Sequence, residues 1–487
     1  MIYAVIPVLL AVVCVWLGRR MTTALLILGY LSIEGFLKLL SNYNRIVHVG
    51  LDIVVLSLAL VLVLQAVMQR RAHLDELPYT KLILVYAVWM ILQLLNPFSP
   101  GLVQSIASFK THLTMVPLYF IGATLFEKPR DIIKFIFGVT LIHCLPYGMA
   151  LVQYALGPSS VLDLSPRFWQ NISYFHEWRP FGTSAVPGGT SVFAYMILPL
   201  TLVLLVVPVR NTMKPLAMIA IALAMGTFVV SGVRQVFLGC VLAILVMATL
   251  QLSRRRSRGA VVVAVAVVIS AGAYIAVQTF LRPLATEAVM RDPFAPEIWR
   301  ERDVTVRLLT LTSTQTYREA RANPLTTILY RAQHYPFGAG LGRTGSAAGA
   351  FQRQIAQNPE SMRVQADVGW IADNFWADMI VEGGVPAAIM LTWILFGMLY
   401  RAYQLARGAH DPTVSATAAA LTGFYFSIAV MSWGSQPLLG NPITAYFWFL
   451  SGMCAAMQRM EARATVEVPD EDASFGFDDG LAPAGVR

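Results

Sequence analysis

Charge is what this 487-residue chain has least of: 13% of its residues are charged, against 57% hydrophobic. An ordinary soluble domain is about a quarter charged, so one large water-borne core is excluded and a chain dissolved in lipid is implied. Cysteine is scarce as well. Cys14, Cys144, Cys240 and Cys454 all lie inside apolar runs without CxxC spacing, which excludes a disulfide framework or thiolate metal site and leaves small buried hydrophobes. The net charge of +9 does not describe a nucleic-acid surface, because most of the cations flank apolar segments. Such cations are loop charges that set membrane orientation. An internal repeat of fixed period is also lacking.

What the chain has instead is long apolar runs. A transmembrane helix needs ~20 mostly apolar residues. Thirteen segments qualify: 2–17, 22–40, 47–68, 81–97, 103–126, 131–156, 187–208, 214–231, 234–252, 259–280, 380–400, 412–433 and 442–458. The predicted fold is therefore all-α and polytopic, with about 12–14 transmembrane helices. The membrane domain is expected over 1–463, including loops at about 157–186 and 281–379, followed by a disordered acidic tail over 464–487. Every odd-numbered span ends in a basic loop, from Arg19-Arg20 through Arg254-Arg255-Arg256 to Arg459 and Arg463. One topology satisfies them all, with the amino terminus outside and the carboxyl terminus in the cytoplasm. The first span has no basic n-region or small-residue cleavage site, so it reads as retained.

Between Lys214 and Arg254 the one charged residue is Arg234. About 40 apolar residues rising 1.5 Å each suffice for two crossings of a ~30 Å core. The run is thus a hairpin turning at Ser231-Gly232, with Arg234 at its outer tip. There it either snorkels to headgroups or holds an anion.

The two long loops carry aromatic and hydrophobic residues, so order is expected in them. In the first, His176, Trp178 and Arg179 precede span 7. An arginine so placed grips a carboxylate or phosphate bidentately or sits in the interfacial aromatic belt. The second loop has 11 arginines and no lysine. Its run His334-Tyr335-Pro336-Phe337-Gly338-Ala339-Gly340-Leu341-Gly342 is either a plain glycine-rich turn or a set of backbone amides facing phosphate or sugar. It ends in Asp373-Asn374, with Asp378 and Glu382 following. Asp373 suits a general base or a helix N-terminus, and Glu382 leans structural. Lys110 and His112 lie near the outer end of span 5, placed to line the same cavity as Arg179 and Arg234. Glu34 and Lys38 are spaced to pair, and His143 reads as a hydrogen-bonded core histidine.

These stretches resemble the O-antigen ligase and polysaccharide polymerase superfamily of bacterial inner membranes. The likeness rests on R-P-F-G at Arg179, S-G-V-R at Ser231 to Arg234, YPFGAGLG, and DNFWADMIVEGGV, in that order over roughly residues 80–460. It implies a metal-independent, cofactor-free inverting glycosyltransferase with its active site facing the periplasm. The donor would be a glycan on undecaprenyl diphosphate. Arg179, Arg234 and Lys110 would hold the diphosphate, and His176, Trp178, Asn374, Gly340 and Gly342 would face the glycan. The base would be Asp373, His334 or Asp367. Membrane lipid and a chain-length regulator or export complex are the implied partners. Ligases of this group carry a histidine close to the span after the late loop. Here that place reads Asp373-Asn374, which favours a polymerase over a ligase. A secondary transporter is the reading of another class, but the inverted symmetry common in transporters is not visible.

Overall fold

The computed structural model describes residues 20–42, 44, 47, 49–50, 52–57, 77–162, 164–165, 178–252, 324–344, 374–440 and 442–466. Among them there is no strand. The helices are α1 (Arg20–Leu40), α2 (Thr80–Gln93), α3 (Leu102–Leu113), α4 (Pro117–Leu125), α5 (Pro129–Leu156), α6 (Ser159–Leu162) and α7 (Thr190–Val206). They continue with α8 (Met213–Ser231), α9 (Arg234–Leu252), α10 (Pro324–His334), α11 (Phe375–Gly408), α12 (Pro412–Met431) and α13 (Ile443–Val466). Among the described residues, α1, α5, α8, α9, α11 and α12 are long and apolar enough to cross a membrane. The chain is an all-α, multi-pass membrane protein, as its composition predicts.

Local chemistry explains where helices begin and break. Asp411 caps α12 by accepting from the amides of Thr413 (2.7 Å) and Val414 (3.1 Å). The predicted span 103–126 is two helices, not one. Pro117 opens α4 at its first turn, and proline has no N–H to continue the α3 ladder. The span predicted at 380–400 extends to Phe375–Gly408, kinked at Gly384 (φ 75°, ψ 176°). Glycine holds that conformation without a Cβ penalty. The predicted spans 2–17 and 259–280 lie outside the described residues, as does most of 47–68.

Helix α12 is the almost fully buried centre, with α9 and α11 packed along it. His143 is a satisfied core histidine. Its Nδ1 donates to the Val139 carbonyl (2.8 Å), and Tyr446 Oη donates to its Nε2 (3.0 Å). Glu34 and Lys38 pair at 2.8 Å, as their spacing predicts.

Close helix crossings replace hydrophobic driving force inside a bilayer, so small residues mark them. Helices α4 and α13 cross at Gly122 and Gly452. A Cβ on Gly452 would stand 2.7 Å from the Ala123 amide, and one on Gly122 would stand 3.2 Å from the Phe449 carbonyl carbon. Gly452→Val is therefore expected to push the two backbones apart and cost about 1–3 kcal/mol, the range for overpacking. A fall of several degrees in the detergent-solubilised melting temperature is the expected reading. An unchanged midpoint would mean that the crossing does not limit stability.

Candidate functional site

Four separate elements meet at one end of the bundle. The first is the segment Trp178 to Gly189. Its ends are tied by the Gly188 amide donating to the Pro180 carbonyl (2.9 Å). Gln153 of α5 clamps its middle, donating to the Gly182 carbonyl (3.1 Å) and accepting from the Gly182 amide (2.7 Å). Helix α1 holds its far side: the Phe36 amide donates to the Thr183 carbonyl (2.8 Å).

The second element is the turn between α8 and α9. It touches the first at Gly188, where a Cβ would stand 2.8 Å from Val233 Cγ2, 3.0 Å from the Ser231 carbonyl oxygen and 3.5 Å from Arg179 Cδ. Only a residue without a side chain lets Arg179 and this turn approach so closely. Arg234 is the first residue of α9, immediately after the turn.

The third element, the loop after α12, connects this turn to α11. Gly434 lies against Gln235, whose Nε2 is 3.1 Å from where a Cβ would stand. Two residues on, Gln436 donates to Asp378 Oδ2. The Phe375 amide donates to the Ser432 and Ser435 carbonyls (3.2 Å each). The N-terminus of α11 is the fourth element. Asn374 caps it, accepting from the Ala377 amide (3.1 Å) and donating to the Pro324 carbonyl at the head of α10 (3.4 Å).

At the far end of α10, His334 is exposed and its Nδ1 donates to the Tyr330 carbonyl (2.8 Å). With Nδ1 committed to that carbonyl, Nε2 is the ring nitrogen left to exchange a proton.

The late-loop residues Tyr335 to Thr344 dock on α2, α3 and α11. The Ala339 amide donates to the Val381 carbonyl (2.6 Å), and Val385 donates to the Pro336 carbonyl (2.9 Å). Gln93 Nε2 donates to the Phe337 carbonyl (2.9 Å), and Trp89 Nε1 to that of Gly383 (2.6 Å). Glu382 is the anchor of this docking. It is buried, and its Oε1 accepts from the amides of Gly342 (3.0 Å) and Thr344 (3.2 Å). Its Oε2 accepts from Ser108 Oγ (2.6 Å) and pairs with His112 Nε2 (2.7 Å). Gly342, at φ 86°, lets two amides in alternate residues point at one oxygen, as in an anion nest. The nest therefore already holds the chain's own carboxylate.

The remaining sequence candidates fall as follows. Lys110 is paired with Asp52 at 2.5 Å, so a carboxylate already answers its charge. Trp178 is buried with Leu39, Val161 and Phe181, and its indole N–H has no hydrogen-bond partner among the described residues. Gly340 and Gly342 lie against Ser99 and Gln104. Asp367, Asp373 and His176 lie outside the described residues, as does the side chain of Arg234.

Sequence reasoning did not single out Arg343. It is buried, it donates through Nε to the Phe98 carbonyl (2.7 Å), and its Nη1 has no partner among the described residues. Burial pushes its guanidinium below the usual arginine range. Its one signal in sequence was its place directly after the glycine run.

Residues 217–392 match the family model described as O-antigen ligase. That segment holds the α8–α9 hairpin, the late loop and the first half of α11. The similarity to the O-antigen ligase superfamily is thereby shown, and it supports a glycosyltransferase-like function of the ligase-and-polymerase kind. No curated protein matches the chain.

Glu382→Ala would strand four buried donors. Removing one partner of a buried charge cluster costs about 3–5 kcal/mol. The variant should melt several degrees lower and expose the 335–344 segment to protease, whereas Glu382→Gln, still an acceptor at Oε1, should lose less. Equal melting and equal protease resistance of Glu382→Ala would refute the anchoring role.

Proposed function

We propose that this protein is a polymerase of lipid-diphosphate-linked oligosaccharide repeat units, acting at the periplasmic face of the inner membrane to build exopolysaccharide or O-antigen. The observation carrying this reading is the contact through Gly188. It sets Arg179 beside the turn that leads into Arg234, at the bundle end where α11 and α10 also begin.

Glycosyl transfer from such a donor breaks the bond between the anomeric carbon and a phosphate oxygen. The electron pair leaves with undecaprenyl diphosphate. The two arginines would meet the charge that develops there, in a water-poor site where fixed cations act strongly. An acceptor hydroxyl forms the new bond from the opposite side, so the anomeric configuration inverts. Its proton passes to a base. His334 presents a free Nε2 for that role, with Asp367 and Asp373 as the carboxylate alternatives. The diphosphate is itself the activated leaving group, so neither nucleotide nor metal enters the step. Asn374, His176, Trp178 and Gly340 are the candidates for the glycan side, whereas the Gly342 amide is committed to Glu382 and Lys110 is an outlying diphosphate candidate already paired with Asp52.

Purified protein incubated with a lipid-diphosphate-linked repeat unit should form a product ladder without any lipid A acceptor, and a chelator should leave it unchanged. A single addition that requires lipid A core would identify a ligase instead. Arg179→Ala and Arg234→Ala should each lower turnover by about 10²–10³, the cost of removing one donor from developing charge, with protein level and membrane localisation intact. Turnover within a few fold of the parent in both variants would end the diphosphate assignment.

A further inference from the structure

At the other end of the bundle, remote from the late loop, α9 and α11 each pack along α12 and a trough remains between them. Its volume is about 590 Å³, within the ~300–1,000 Å³ range of ligand sites. Helix α12 makes the floor with Thr422 and Phe426. Leu250 of α9 forms one wall, and Phe396, Tyr400 and Tyr403 of α11 form the other. The described residues leave large apolar side chains here uncovered: Phe396 is 49% exposed and Tyr400 59%.

The lining residues of α11 recur at helical spacing, and the stripe ends one turn beyond Tyr403 at Arg407. This arginine is held in place at the trough's end. Its Nη1 donates to Tyr403 Oη (2.8 Å), and its guanidinium carbon lies 5.7 Å from the Tyr403 ring centroid. Arg401, by contrast, donates to Gln458 and stacks over Tyr79, on a different side of α11. Among the described residues the trough is closed by one oriented cation, and a hydrocarbon trough so closed matches a molecule with apolar tails and an anionic head.

We propose that the trough binds an anionic phospholipid of the bilayer, with its acyl chains between α9 and α11 and its phosphate on Arg407. The apolar walls supply the tail energy, roughly 25 cal/mol per Å² covered, and the guanidinium supplies headgroup choice. The lipid would brace the two helices whose opposite ends carry Arg234 and Glu382. The inference does not depend on the glycan-transfer reading.

Incorporating the photo-crosslinker p-benzoylphenylalanine at position 396 tests it. The protein is reconstituted in vesicles of equal phosphatidylglycerol and phosphatidylethanolamine, irradiated, and its adducts are weighed by mass spectrometry. Phosphatidylglycerol adducts should exceed phosphatidylethanolamine adducts by about fivefold, the equivalent of ~1 kcal/mol for one basic side chain near a surface. Arg407→Gln should abolish the preference and leave labelling of both lipids. Leu250→Trp, which fills the trough, should cut labelling while the protein stays monodisperse. Equal labelling of the two lipids by the parent would overturn the proposal. So would cross-links to another segment of the same chain, such as 259–280, or to a second copy.

Discussion

The carboxylate of Glu382 is the constraint on which the loop end of the bundle depends. A lone carboxylate moved out of water costs several kcal/mol even after relaxation. Here four donors converge on it: two amides from the late loop, and the Ser108 hydroxyl and His112 imidazole from α3. A hydrogen bond to a charged group contributes about 1.5–3 kcal/mol, so four of them offset a penalty of that size. The consequence is geometric. One side chain of α11 fixes where α3 stands and where the glycine-rich segment lies, and the kink at Gly384 follows two residues later. In a chain with so little charge, this buried carboxyl group fixes register between elements that are far apart in sequence.

A second constraint acts through absence of a side chain. The Trp178–Gly189 segment and the α8–α9 turn belong to different hairpins, and Gly188 is where they touch. The rest of the loop is committed to backbone pairing with Gln153, Phe36 and its own Pro180. Arg179 therefore sits on a rigid frame rather than on a tether, which is the condition for a fixed cation to stabilise developing charge. The bridge through Gln235, Gly434 and Gln436 to Asp378 then carries the same rigidity to α11.

Legibility in the sequence followed the range of the forces involved. Hydropathy runs are local, so α5, α8, α9 and α12 stand within a few residues of their predicted spans. The lone arginine between Lys214 and Arg254 placed the α8–α9 turn correctly at Ser231-Gly232. Pro117 was visible, yet the apolar run across it hid the break between α3 and α4. The pairs that build the site join residues hundreds of positions apart, such as Ser108 with Glu382 and Gln93 with Phe337. Such pairs leave no periodicity. Glu382 leaned structural because acids are favoured near helix starts, and it is structural for a different reason, as the occupant of an amide nest. Lys110 lay among the cations because Asp52 stood in a separate span with nothing local to link them.

Charge balance then distinguishes the cations at this end. Lys110 has Asp52, and Lys38 has Glu34. Arg343 has the Phe98 carbonyl, a dipole that orients the guanidinium without cancelling its charge. Burial lowers its pKa, but a guanidinium starts so high that it stays protonated. A cation ligated by a carbonyl in a low-dielectric setting projects its field farther than one paired with a carboxylate. Arg343 therefore adds positive potential near the glycine-rich segment. A neutral glycan gains little from that field. An anionic group is drawn along it, and in the reading proposed above that group is the diphosphate of the donor.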